Sequence, residues 1–201
     1  MHKITGSDGF VTMPVREDDL LDFATTMADW PADKEGTFSI QRSMMVLSMH
    51  TRNNRLAKCP AVKGVQSNLT MAYKTPNNEW VGYWRMEIDG LSASITQAAI
   101  HPDYRGKGNF TRMEHARWWY TWNVLGIETV EWETMRILAA PVVKVSSRYG
   151  GDQDSTRARW NTGEDILHWK VTKAQAEAFD ADPVAPSSGL SDVTYKVTEL
   201  G

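Results

Sequence analysis

The span from residue 92 to 134 constrains the fold most. Side chains alternate over 92–101, and Pro102-Asp103-Tyr104-Arg105-Gly106-Lys107-Gly108 then breaks the alternation. A helical pattern follows over 109–125, closed by Gly126 where a helix-ending glycine belongs. Residues 128–134 alternate again. A strand, a glycine loop, a helix and a second strand in that order make a crossover unit, which sets the two strands parallel. Upstream, 80–88 reads as a strand with Trp80, Gly82, Trp84, Met86 and Ile88 on one face, and Asp89-Gly90 suits a tight hairpin. Residues 68–74 form another strand before the turn cluster Thr75-Pro76-Asn77-Asn78. Three antiparallel strands therefore lead into one parallel crossover, and the fold class is α/β of the mixed α+β kind.

The remaining elements are shorter. Residues 10–15 read as a first strand, and Asp18-Asp19 opens a helix with Leu20, Leu21, Phe23, Ala24 and Met27 as its apolar stripe. Trp30-Pro31 stops it. Further helices are predicted over 40–56 and 141–149, and a hairpin pairs 156–160 with 166–172 around Asn161-Thr162-Gly163. A short helix over 173–179 starts behind Thr172 as N-cap. The reading divides the chain into a domain over 1–180 and an extension over 181–201, a linker with a last strand over 192–197.

Composition narrows the function classes. The 201 residues are 41% hydrophobic, enough for a packed core, and the net charge of −3 gives no large basic surface for nucleic acid. A weakly acidic balance suits a cationic substrate such as an amine. The single Cys59 rules out an internal disulfide or a cysteine zinc cluster, and the five histidines form no paired metal motif, so no metal site is expected. No run of apolar residues is long enough to span a membrane, and the N-terminus lacks a hydrophobic signal region. These features point to the cytoplasm.

The chemistry sits in Ile95 through Phe110. A strand that ends in a glycine loop at a helix N-terminus presents several backbone N–H groups at the positive end of the helix dipole. Such a place holds anions, and a pyrophosphate is the natural guest. Gly106 and Gly108 allow close backbone approach, while Arg105 and Lys107 add charge. The loop lacks the GxxxxGK[ST] of a Walker loop and the third glycine of a dinucleotide fingerprint.

Arg105-Gly106-Lys107-Gly108-Asn109-Phe110, led by Ile100-His101-Pro102-Asp103-Tyr104, resembles the Q/R-x-x-G-x-G/A motif of the GNAT superfamily of N-acyltransferases. Phe110 departs from the last motif position, where its ring would either narrow the pyrophosphate pocket or point into the core. Val11 through Leu20 is similar to the family's first strand and helix start, and the element order over about 10–172 matches. Ser147-Arg148-Tyr149-Gly150-Gly151 stands where the family ends a helix in Lys-x-Gly-Phe, and 166–170 resembles its closing strand.

The resemblance implies a mostly antiparallel mixed central sheet, flanked by helices, whose fourth and fifth family strands (here 92–101 and 128–134) splay apart. It implies acetyl-CoA as co-substrate, with its pantetheine arm on the backbone of Ala98, Ala99 and Ile100. Its pyrophosphate would lie on Arg105, Gly106, Lys107, Gly108, Asn109 and Phe110. The reaction would be direct attack by a primary amine of a small molecule, peptide or protein in a ternary complex. A base must take the amine proton. Glu131 and Glu133 share a strand face and are preferred over Glu87, because their strand borders the gap. The family's usual acid is a tyrosine, and counting back from Gly150 its place falls on Ser146, which leaves Tyr149, three residues on, to serve.

Two other classes stay open. One is a nucleic-acid base-modifying enzyme on this fold, which would need a basic groove from Arg112, Arg117, Lys144, Arg148, Arg157 and Arg159. The other is a non-catalytic binding module. Nine tryptophans are many for this length. With Met113, Ala116, Tyr120, Val124 and Ile127 facing the sheet, Trp118 and Trp122 would point elsewhere. They would pack against the C-terminal extension, or form a homodimer face or a base-stacking platform.

Overall fold

The computed structural model of the chain describes residues 2–15, 18–28, 66–135, 152–158, 165–180 and 193–200. The helices predicted over 40–56 and 141–149, Tyr149, Ser146 and the linker over 182–189 lie outside the described residues.

The described elements run β1 (His2–Gly6), β2 (Val11–Pro14), α1 (Leu20–Ala28), β3 (Gln66–Lys74), β4 (Trp80–Asp89) and β5 (Ser92–Ile100). A 3-10 turn (Pro102–Tyr104) leads to α2 (Asn109–Asn123), then β6 (Thr129–Met135), β7 (Asp152–Ala158), β8 (Asp165–Thr172), α3 (Lys173–Asp180) and β9 (Tyr195–Glu199). The strands form one nine-stranded sheet in the order β7-β8-β6-β5-β4-β3-β2-β1-β9. Every pair is antiparallel except β5 with β6, the two strands joined through α2. The mixed, mostly antiparallel sheet is thus the one the sequence predicts. The first strand was not predicted: β1 lies ahead of residue 10 and pairs with both β2 and β9.

Alternation divides the core between the two sheet faces. On the α2 side, Met71, Trp84, Met86, Met113, Val130 and Val171 are fully buried in one large cluster. Burying each of these side chains is worth roughly 1.5–3 kcal/mol. On the other face a smaller cluster joins Val15, Phe23, Ala72, Trp80 and Tyr83. Trp80 therefore parts from Trp84 and Met86. The register shifts beside it, with Tyr73 opposite Gly82 but Lys74 opposite Trp80, so Val81 is an inserted residue. One extra residue flips every side chain beyond it to the opposite face. Trp80 then stacks edge-on against Phe23 and donates its indole N–H to Asp22 of α1. Leu21, predicted in the stripe of α1, is 71% exposed, and Phe23 supplies the buried contact.

Helix α2 is buried most of the way round. Trp118 and Trp122 stack on each other at 5.4 Å, and Trp118 meets Trp132 of β6 edge-on at 5.6 Å. Both belong to the main core, so neither forms an exposed stacking platform. The side of α2 toward the C-terminus is carried by Trp119 and His115 instead, which contact Tyr195 of β9.

Candidate functional site

The site begins where β5 and β6 part. Their parallel pairing runs from Ser92↔Thr129 to Ile95↔Trp132 and stops. Beyond that point β5 stays on β4 as far as Ile100, and β6 stays on β8 as far as Met135. The two strands thus form a fork. A bulge explains it: Met86 faces Ile95 and Arg85 faces Gln97, so Thr96 is inserted in β5 at the branch point. A bulge bends its strand and increases the local twist, which carries the end of β5 away from β6.

The open edge of β5 follows from its pairing with β4. The N–H of His101 bonds Val81 O at 2.7 Å, so backbone groups of Ala99 also point toward β4. Those of Ala98 and Ile100 then point into the fork, where no described strand pairs with them. Of the three residues in the predicted contact, Ala98 and Ile100 offer backbone groups, and Ala99 packs against the smaller core cluster. Gly82 permits this arrangement. A Cβ there would collide with the Ala99 carbonyl oxygen and lie 2.8 Å from Ile100 Cδ1.

The fork opens onto the glycine loop. His101 caps the 3-10 turn by accepting from the Asp103 N–H at 3.2 Å. Gly106 and Gly108 both take left-handed φ, +72° and +76°. Left-handed backbone favours glycine, and these two residues turn the chain into α2. A Cβ at Gly106 would meet nothing within 4 Å, and one at Gly108 only Arg112 Nη1 at 3.8 Å. The cradle is therefore open to a ligand. The first intrahelical bond runs from Arg112 N–H to Gly108 O at 3.1 Å, and no side chain caps the helix. The N–H groups of Asn109, Phe110 and Thr111 thus lack helical acceptors, and the first turn holds no acidic residue to compete with an anion.

The loop side chains divide between framing and charge. Arg105 Nε donates to Ile100 O at 3.0 Å, and Lys107 Nζ to Asp103 O at 2.9 Å, while both residues stay exposed at the rim. Asn109 is buried, its amide donating to Tyr104 O at 2.9 Å, which leaves only its backbone N–H for a ligand. Phe110 packs against the main core cluster, and none of its atoms comes within 4 Å of the Cβ positions at Gly106 or Gly108. These residues fit a diphosphate group: amides without helical acceptors, two exposed cations, and only the Arg112 guanidinium beside the cradle.

Both carboxylates preferred from the sequence lie on β6 at the fork. Glu131, opposite Ser94 just before the branch, holds Lys170 Nζ at 3.1 Å and His168 Nε2 at 3.6 Å. Glu133 is the first residue on that face beyond the last β5–β6 pair, and it is exposed. Glu87 binds Arg85 at 3.1 Å on β4, with β5 between it and β6. Sequence reasoning missed Lys170 and His168. The signal was there: Glu131-x-Glu133 and His168-x-Lys170 are complementary alternating pairs, and the structure sets their strands side by side. Two of the residues named for a basic groove are engaged elsewhere. Arg112 pairs with Asp8 at 3.6 Å, and Arg117 is buried against Glu114. Lys144, Arg148 and Arg159 lie outside the described residues.

Among the described residues no helix is long and apolar enough to cross a membrane, and no group of three His, Cys, Asp or Glu side chains is placed to hold a metal ion. No family model matches the chain, and no curated protein sequence matches it. Solved structures do. A chimera built on the Vibrio cholerae spermidine N-acetyltransferase superposes with a TM-score of 0.63 at 12% identity, over 87% of this chain and 99% of that one. An acetyltransferase of the GNAT family from Bacillus anthracis gives 0.62 at 14% identity, over 85% and 98%. At such identities the likeness is one of architecture, and it covers nearly the whole of each neighbour. The chain has the fold of the GNAT superfamily.

Proposed function

We propose that the chain is an N-acyltransferase that moves an acetyl group from acetyl-CoA to a primary amine. The observation that carries this reading is the fork, whose open β5 edge leads directly to an uncapped helix N-terminus in a glycine loop. A linear ligand with an amide-bearing arm and a diphosphate matches that shape. Ala98 and Ile100 would pair with the arm as a strand pairs, and the amides from Gly106 to Phe110 would hold the diphosphate, with Arg105 and Lys107 screening its charge. Bound there, acetyl-CoA would supply an activated thioester.

The chain's own task is to deliver a neutral amine. Glu133 is the better placed base, since it is exposed and lies just beyond the last β5–β6 pair, at the mouth of the fork, while Glu131 lies before it. A carboxylate there attracts an ammonium group and takes its proton, directly or through water. Tyr149 remains the proposed acid for the departing thiolate. Polyamines are the first acceptors to try, because solved structures of similar fold include spermidine N-acetyltransferases.

The test is calorimetric titration with acetyl-CoA, followed by turnover assays on an amine panel. Wild type should bind, and Gly108→Val should lose affinity by a factor of ten or more, because a side chain is strained at that φ and intrudes on the diphosphate. Equal affinity in the two proteins refutes the site. Binding without turnover on any amine would select the non-catalytic module instead.

A further inference from the structure

Behind the glycine loop, a small cavity lies between the β1–β2 hairpin, β3, α2 and β9. It offers ≈ 10 Å³ to the centre of a water-sized ligand, at the lower end of the roughly 10–15 Å³ that one water needs. Thr12 and Tyr73 line it and are each 1% exposed. Among the described residues their hydroxyls have no hydrogen-bond partner, and neither has the buried Nε of Arg112, which also lines the cavity. Three polar groups on three separate elements thus meet one space of atomic size. Buried polar groups without partners are costly, and native folds supply them with partners.

The chemistry of the walls selects the ligand. The Arg112 guanidinium is balanced by Asp8, whose Oδ2 lies 3.6 Å from Nε, so the cavity favours neither an anion nor a cation. Burial first, and then the Asp8 charge, push the phenols of Tyr73 and Tyr195 well above their usual range, so both stay protonated. The ligand must therefore accept from a guanidinium and a phenol and also donate to a hydroxyl or carboxylate oxygen. We infer that the cavity is a binding site for one ordered water, held by Tyr73 Oη, Thr12 Oγ1 and Arg112 Nε. The water joins β2 and β3 to the first turns of α2. Arg112 also donates from Nη1 to Lys107 O at 3.4 Å, so the same side chain ties this site to the frame of the glycine loop.

The test uses two nearly isosteric changes, Tyr73→Phe and Thr12→Val, and a crystal structure of the wild type. If the water is bound, each change lowers the melting temperature by about 2–4 °C, the response of a domain this size to one lost hydrogen bond. The double variant then loses less than the sum, because both changes remove partners of one molecule. If the cavity is dry, each change removes a buried hydroxyl with no partner and raises the melting temperature, which overturns the inference. The crystal structure should show one density peak within about 3.2 Å of all three atoms, and an empty cavity there also overturns it. Neither measurement involves acetyl-CoA, so this inference and the proposed activity stand or fall separately.

Discussion

At the scale of the residue, the least ordinary choice is Glu114 in the middle of α2. It is 3% exposed and pairs with Arg117, itself 4% exposed, one turn along the same helix. Burial, the largest influence, raises the Glu114 carboxyl above its ordinary value, and the charge of Arg117 partly offsets this. A raised folded-state value means that the native protein holds this proton to higher pH than the unfolded chain does. The contribution is fully present below the unfolded value of 4.5 and is lost as pH rises through the folded value. The stability of wild type relative to Glu114→Gln should therefore fall as pH rises above about 4.5, read from urea midpoints. A difference that does not change with pH contradicts this. Arg117→Ala strands the carboxylate and should cost about 3–5 kcal/mol.

At the scale of the element, β5 does two jobs with one strand. Its first half zips to β6, and after the bulge at Thr96 its second half leaves the open edge. Gly82 on β4 is what lets that second half lie close. Gly82→Ala must displace Ala99, at a cost of about 1–3 kcal/mol. It should also weaken acetyl-CoA binding, because it shifts Ala98 and Ile100, so urea unfolding and calorimetry should both change. Unaltered binding would separate the β4–β5 contact from the site. The strand, loop and helix of this segment were legible in sequence because glycines, proline and alternation are local signals. The bulges at Thr96 and Val81 were not. Neither residue differs from its neighbours in any way that marks an insertion, and the register that requires it is set by the partner strand.

At the scale of the whole molecule, the sheet is extended at one edge by a strand pair that joins the two ends of the chain. Five residues of β1 pair with five of β9, from His2↔Glu199 to Gly6↔Tyr195. β1 was illegible because His2-Lys3-Ile4-Thr5-Gly6 carries one strongly apolar residue and no alternation. Its pairing comes from residues at the far end of the chain. Tyr195 anchors the pair, with its ring 5.0 Å from Trp119 and its hydroxyl 2.6 Å from His115 Nδ1. Deleting residues 193–201 should uncover that side of α2 and lower stability by roughly 2 kcal/mol, the value of one buried aromatic. Urea midpoints will show it, and an unchanged midpoint would make β9 an ornament.

The central claim is that a fork between two strands leads an acyl carrier to amides at the start of α2. Amide-resolved NMR during acetyl-CoA titration tests it most directly. The amides of Ala98, Ile100 and residues 106–110 should shift and gain protection from exchange, while those of α1 and β9 stay as they are. Shifts confined to other elements, or none at saturating acetyl-CoA, would contradict the account.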